Sequence, residues 1–153
     1  MSLSAAISQI YEQIRAISPT TCPSEGFVPW DEAGGSDQGL EAVVDGPQRL
    51  YDVVILTLPV DDGVAYVTQP RLRTEIAVRV SYARGTAHDR RYLQALMGED
   101  VAAIMARVLN PNNWNAAVTE IDALIASEDD PETEILHDGA RVLVTIPFTL
   151  IHY

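Results

Sequence analysis

Four isoleucines open the pattern. Ile7, Ile10, Ile14 and Ile17 recur at gaps of three, four and three, which sets them on one stripe of an α-helix. Ser2 or Ser4 is placed to cap its start, and Ser18-Pro19 stops it. From Pro19 to Pro47 the chain is rich in Gly, Pro, Ser and acids and holds no sustained period, so it reads as a long loop with one short strand near 40–44, anchored by Phe27, Val28 and Trp30. An unpatterned stretch of that length within a compact domain usually carries function or is ordered by a partner.

Periodicity then changes. Residues 49–59, "RLYDVVILTLP", are nearly all apolar and end at a proline, as a central strand would. Asp61-Asp62-Gly63 forms a turn and "VAYVTQP" a returning strand. In "RLRTEIAVRVSYARG", 71–85, the even positions Leu72, Ile76, Val78 and Val80 are apolar, while Arg71, Arg73, Glu75 and Arg79 share the other face. This alternation predicts a long strand with an arginine face. A second helix opens at Asp89, with Leu93, Met97, Val101, Ile104 and Val108 on its apolar side and Asn110-Pro111 at its end. Residues 116–127 fit a strand better than a helix, "EDDPETE" is a charged loop, Asp138-Gly139 a turn, and 140–153 a last strand that Pro147 assigns to a sheet edge or a bulge. With no strand–helix alternation, the order predicts an α+β fold: a mainly antiparallel sheet with two main helices packed on one face and a long loop after the first helix.

Composition narrows what such a fold does. The 153 residues suit one domain, 1–153, with the 19–47 loop inside it. One cysteine excludes an internal disulfide, and neither a secretory signal pattern nor a membrane-spanning run is present, so a soluble protein without membrane contact is expected. All ten basic residues are arginine; the absence of lysine excludes a Walker phosphate loop and a Schiff-base mechanism. A formal net charge of −12 opposes tight binding along a nucleic-acid backbone. Seven of the ten arginines fall between Arg71 and Arg107, whereas 108–140 holds eight acids and no arginine. Such a division is expected of complementary faces in a self-assembling subunit, or of two solvated faces.

Catalytic patterns are missing. There is no G-x-S-x-G elbow, H-E-x-x-H, C-x-x-C or Gly-rich dinucleotide turn; "GGSDQG" follows no strand. His88, His137 and His152 are scattered, and the acids of 128–134 lack the glycine and terminal glutamate of a calcium loop. The expectation is a non-enzyme without cofactor or metal. A competing reading is a small-ligand binding module or unrecognised hydrolase with 19–47 as a lid, supported by Trp30 and by His88 near Arg90.

The order of elements, a leading helix, an acid-rich loop holding "FVPWDE", an apolar strand, the strand "LRTEIAVRVSYA", a helix opening at "HDRRYLQALMGEDVAAIM", an acidic loop and a terminal strand, resembles the tail terminator proteins of long-tailed bacteriophages, of the lambda type. That resemblance implies a structural virion protein of the tail or neck, assembled in the host cytoplasm: a homo-hexameric ring that caps the tail tube, stops its polymerisation and offers the joining surface to head-tail connector proteins. Duplex DNA would pass through without specific binding. A closely related tail completion or head-tail connector protein shares size and class. The candidate interface residues come from charge and pattern: Arg71, Arg73 and Arg79 on the strand, Arg90 and Arg91 at the start of the second helix, and Glu128, Asp129, Asp130 and Glu132 as partners across a subunit boundary.

Overall fold

The computed structural model describes residues 2–19, 26–32, 39–61, 72–84, 90–113 and 121–152. Helix α1 runs Ser2–Arg15, followed by strand β1 (Phe27–Pro29), β2 (Arg49–Ile55), β3 (Val60–Asp61), β4 (Leu72–Ala83), helix α2 (Arg90–Leu109), β5 (Ile121–Ala126), β6 (Glu132–Leu136) and β7 (Arg141–His152). The strands form one sheet in the order β1-β2-β4-β7-β5, with β3 beside β4 and β6 beside β7. Every pairing is antiparallel except β1 with β2. The fold is α+β.

Alternation along β4 and β7 decides where the core lies. Ile76, Val78, Val80 and Tyr82 of β4 and Val142, Val144, Ile146, Phe148 and Leu150 of β7 share one face. Ala6, Ile10 and Ile14 of α1 and Leu93, Leu96, Ile104 and Val108 of α2 cover it, so both helices do pack on the same side. Full burial of a side chain of this kind contributes about 1.5–3 kcal/mol. The buried row of α2 is Leu93, Leu96, Asp100, Ile104 and Val108; Met97 and Val101, expected in that row, lie beside it half-buried. The opposite sheet face is not bare either. Leu50 and Leu143, which flank Ser81 across the sheet, form a second small cluster with Leu40 and Val43.

Several boundaries differ from the sequence reading for local reasons. Residues 40–42 form a 3₁₀ turn in place of the expected strand, while Phe27–Pro29, inside the long loop, pairs in parallel with β2. The three anchors hold as expected: Phe27 enters the main core, and Val28 and Trp30 pack on the second cluster. Asp61, expected in a turn, pairs with Leu72, and Glu132–Leu136 is a strand although its charge suggested a loop. Pro147 sits in a central strand, not at an edge. Strand β6 pairs β7 through Thr145 and β5 takes over at Phe148, so Pro147 occupies the gap between them. Its carbonyl faces that side, accepting from the Ser127 amide at 3.5 Å, and so does its nitrogen. The missing N–H therefore removes no ladder bond. The expected returning strand at 64–70 lies outside the described residues.

Candidate functional site

The charged surface assigned to assembly divides in the structure into groups that are engaged within the chain and groups that are not. Arg79 is engaged. Strand register sets it opposite Asp52, and its Nε donates to Asp52 Oδ1 at 2.9 Å while Nη2 bonds Oδ2 and Nη1 bonds Glu41. Asp52 is buried and Arg79 half-buried, so this is a desolvated pair and not a solvated fringe. Arg79 holds Glu41 below the usual carboxylate range, whereas burial pushes Asp52 up against the pull of the same guanidinium. The arginine face of β4 is thus corrected: Ala77 and Ser81 on it are buried, Arg79 is bound to two acids of its own chain, and among its described arginines only Arg73 faces water. Arg73 lies 3.9 Å from Glu75, a contact too long for a hydrogen bond.

Arg91 is exposed in the first turn of α2. A cation there faces the positive end of the helix dipole, so its own helix does not hold it. Arg71 and the side chain of Arg90 lie outside the described residues. At the opposite end of the charge division Glu128, Asp129, Asp130 and Glu132 are all exposed, and none forms an ion pair among the described residues. They lead into β6, which pairs β7 along one edge and leaves its other edge unpaired among the described residues. Ile135, 66% exposed, stands on that strand. A second apolar group projects where β2 ends: Ile55, Leu56, Leu58 and Val60 are 43–79% exposed.

Besides Asp52, three buried charges escaped the sequence reading. Arg49 and Asp100 meet inside the main core, Nε to Oδ2 at 2.5 Å and Nη2 to Oδ1 at 3.3 Å, with the Tyr82 hydroxyl donating to Oδ2 at 2.9 Å. Arg49 also lies 5.4 Å from the Phe27 ring centre. Burial raises the Asp100 carboxyl, with the Arg49 guanidinium opposing. The signal for this pair was present: Asp100 falls on the apolar row of α2, where a carboxylate requires a cation brought to it. Arg141, fully buried at the start of β7, has no such signal until the strand register is known.

No protein-family model and no curated protein matches the chain. Its own geometry is therefore the ground for a functional reading. Among the described residues no three His, Cys, Asp or Glu side chains converge as metal ligands, and no helix is long and apolar enough to cross a membrane. Of the three histidines, His152 is buried with its Nε2 2.8 Å from Thr74 Oγ1, His137 sets its Nε2 2.6 Å from the Glu41 carbonyl oxygen, and His88 lies outside the described residues. Trp30, named in support of a 19–47 lid, donates to the Tyr11 hydroxyl at 3.2 Å, and that hydroxyl accepts from the Val53 amide at 3.1 Å. The start of the loop is thereby fastened to helix and sheet.

Proposed function

We propose that the chain is a structural virion subunit, a tail terminator that assembles into a ring on the tail tube, stops its polymerisation and presents the head-tail joining surface. The observation that carries this reading is the acidic, open-edged strand β6 with its exposed Ile135. Among the described residues this strand offers a row of unpaired backbone groups, an apolar side chain and uncompensated carboxylates, a surface suited to a neighbouring copy. Arg73 and Arg91 supply the opposite charge, and the apolar end of β2 supplies further surface to cover. Charge placed in this way fixes register and partner more than it adds stability. A tail completion or head-tail connector role draws on the same surfaces and differs in the position the ring occupies.

Negative-stain electron microscopy and native mass spectrometry at about micromolar concentration, where an association of moderate strength is populated, test the reading. Rings with a central hole are expected, alone or with the tail tube protein. The triple variant Asp129→Arg, Asp130→Arg, Glu132→Arg abolishes them while leaving the circular dichroism spectrum unchanged. A chain that stays monomeric both alone and with tube protein overturns the proposal.

A further inference from the structure

On the sheet face opposite the helices a cleft of about 780 Å³ lies between the Val44–Gly46 turn, the end of β4 at Ala83-Arg84 and the turn at His137–Ala140 that leads into β7. It shares no residue with the proposed interface. Arg141 lines it, although the side chain is fully buried. Three of its bonds are fixed: Nε donates to Ser81 Oγ at 2.7 Å, and Nη2 donates to the Pro47 carbonyl at 2.8 Å and the Ser81 carbonyl at 2.9 Å. Nη1 has no acceptor among the described residues. It lies against Gly46, where an added Cβ would come within 4.0 Å of it, and Gly46 is itself part of the cleft wall. A buried N–H of a charged donor left without an acceptor is costly, so the molecule gains by presenting one to it.

A second guanidinium reaches the same cleft. Arg84 is exposed, and its Nη1 passes 3.2 Å from where a Cβ on Gly139 would stand. Gly139 has φ +96°, and the two residues before it, His137 and Asp138, are also left-handed at 53° and 56°. Backbone of that kind in non-glycine residues is disfavoured, and it is kept here in the turn that walls the cleft. Asp45 and Asp138 line the cleft as well. Together with the net charge of −12 they disfavour a dianion or polyanion, whereas a planar monoanion matches a guanidinium fork.

We propose that this cleft binds one carboxylate group, held by Arg84 at the mouth and by Nη1 of Arg141 at the floor. Nη1 has almost no contact with solvent, so seating the carboxylate requires the exposed Val44–Gly46 turn to give way. The carboxylate comes from a small molecule or from an acidic peptide side chain, and the recognition chemistry is the same for both. The proposal stands whether or not the chain forms rings.

Acetate, inorganic phosphate and a synthetic peptide with the sequence of residues 127–136 are titrated at constant ionic strength while the arginine Nε–Hε and Gly46 amide signals are followed by nuclear magnetic resonance. Acetate up to about 10 mM is expected to shift the signals of Arg84, Arg141 and Gly46 along one saturable curve, with phosphate weaker. Peptide binding at least about tenfold tighter than acetate assigns the carboxylate to a chain; acetate binding alone assigns it to a small molecule. Arg84→Gln, on the surface and harmless to folding, is expected to weaken the binding that is seen about fivefold or more. Three results overturn the proposal: no saturable shift with either carboxylate, phosphate binding as tightly as acetate (an adventitious ion only), or unchanged affinity in Arg84→Gln.

Discussion

Replacing Asp100 by asparagine leaves Arg49 in the core with its charge and without its counter-charge. Both side chains are inside the protein, 0% and 3% exposed, so water does not compensate the guanidinium. Breaking a buried pair by removing one partner costs about 3–5 kcal/mol, because the remaining ion carries its desolvation penalty alone. The Tyr82 hydroxyl, which donates to the same carboxylate, keeps an acceptor in the amide oxygen, so the loss belongs mainly to the ion pair. Against a total stability of about 5–15 kcal/mol this is a large fraction, and with a urea slope of about 2 kcal/mol/M the midpoint drops by about 2 M. The complementary variant Arg49→Met with Asp100→Leu removes both charges and fills similar volume; it is expected to cost only about 1–3 kcal/mol, mainly for the Tyr82 hydroxyl left without its acceptor. Urea denaturation followed by circular dichroism measures Asp100→Asn and, together with the singles Arg49→Met and Asp100→Leu, closes the double-mutant cycle. A cost below about 1 kcal/mol for Asp100→Asn, or a double variant as unstable as the sum of its singles, refutes the claim that a desolvated ion pair sits at the centre of this core.

Other consequences can be measured alongside it. Arg79→Glu brings a third carboxylate against Asp52 and Glu41, so it should lower the unfolding midpoint strongly and not merely loosen association; an unchanged midpoint would return Arg79 to the surface. Acidity acts through Glu41. Glu41 is held low by Arg79, so its contribution is complete above the ordinary carboxylate value and is lost as pH falls through its depressed one. Calorimetry should therefore show the melting temperature falling as pH drops below the ordinary carboxylate value, with part of that fall missing in Glu41→Gln; an identical pH dependence in the two proteins would contradict this. Leu58→Ser, at a side chain 79% exposed, should leave the melting temperature within about 2 °C of the wild type. Any larger loss means that Leu58 packs within the chain.

Strict alternation makes β4 and its apolar face readable from the order of residues alone, and the isoleucine stripe does the same for α1. Both signals are local. The failures arose where a residue's environment depends on a partner far along the chain. The odd face of β4 reads as solvated only if nothing covers it, and what covers it is the 3₁₀ turn at Leu40 and the strand neighbours Leu50 and Leu143. Glu132–Leu136 resembles a loop because its charges face water on an edge strand, where backbone pairing with β7 needs no apolar face. Pro147 suggested an edge because a proline costs a ladder bond, and only knowledge of two successive partners on that side of β7 reveals a place where no bond is due. The cleft was invisible for the same reason: Arg141, Arg84 and Gly46 come together only through strand register.

Strand β7 also has a bearing on how the chain folds. It is last in sequence among the described elements and yet sits between β4 and the pair formed by β5 and β6. As the polypeptide is made, residues 121–136 appear before β7, their strand partner among the described residues, and the edge of β4 that takes β7 waits from about residue 84 onward. Only after residue 152 has emerged can β7 be laid in, closing both edges at once across sequence separations of up to 80 positions, as between Leu72 and His152. Pairing at such range is slow, and unpaired edges held open meanwhile are prone to pair with other chains. Ribosome-bound chains stopped short of β7 should accordingly be highly sensitive to protease, with resistance appearing abruptly, not gradually, once that strand is released.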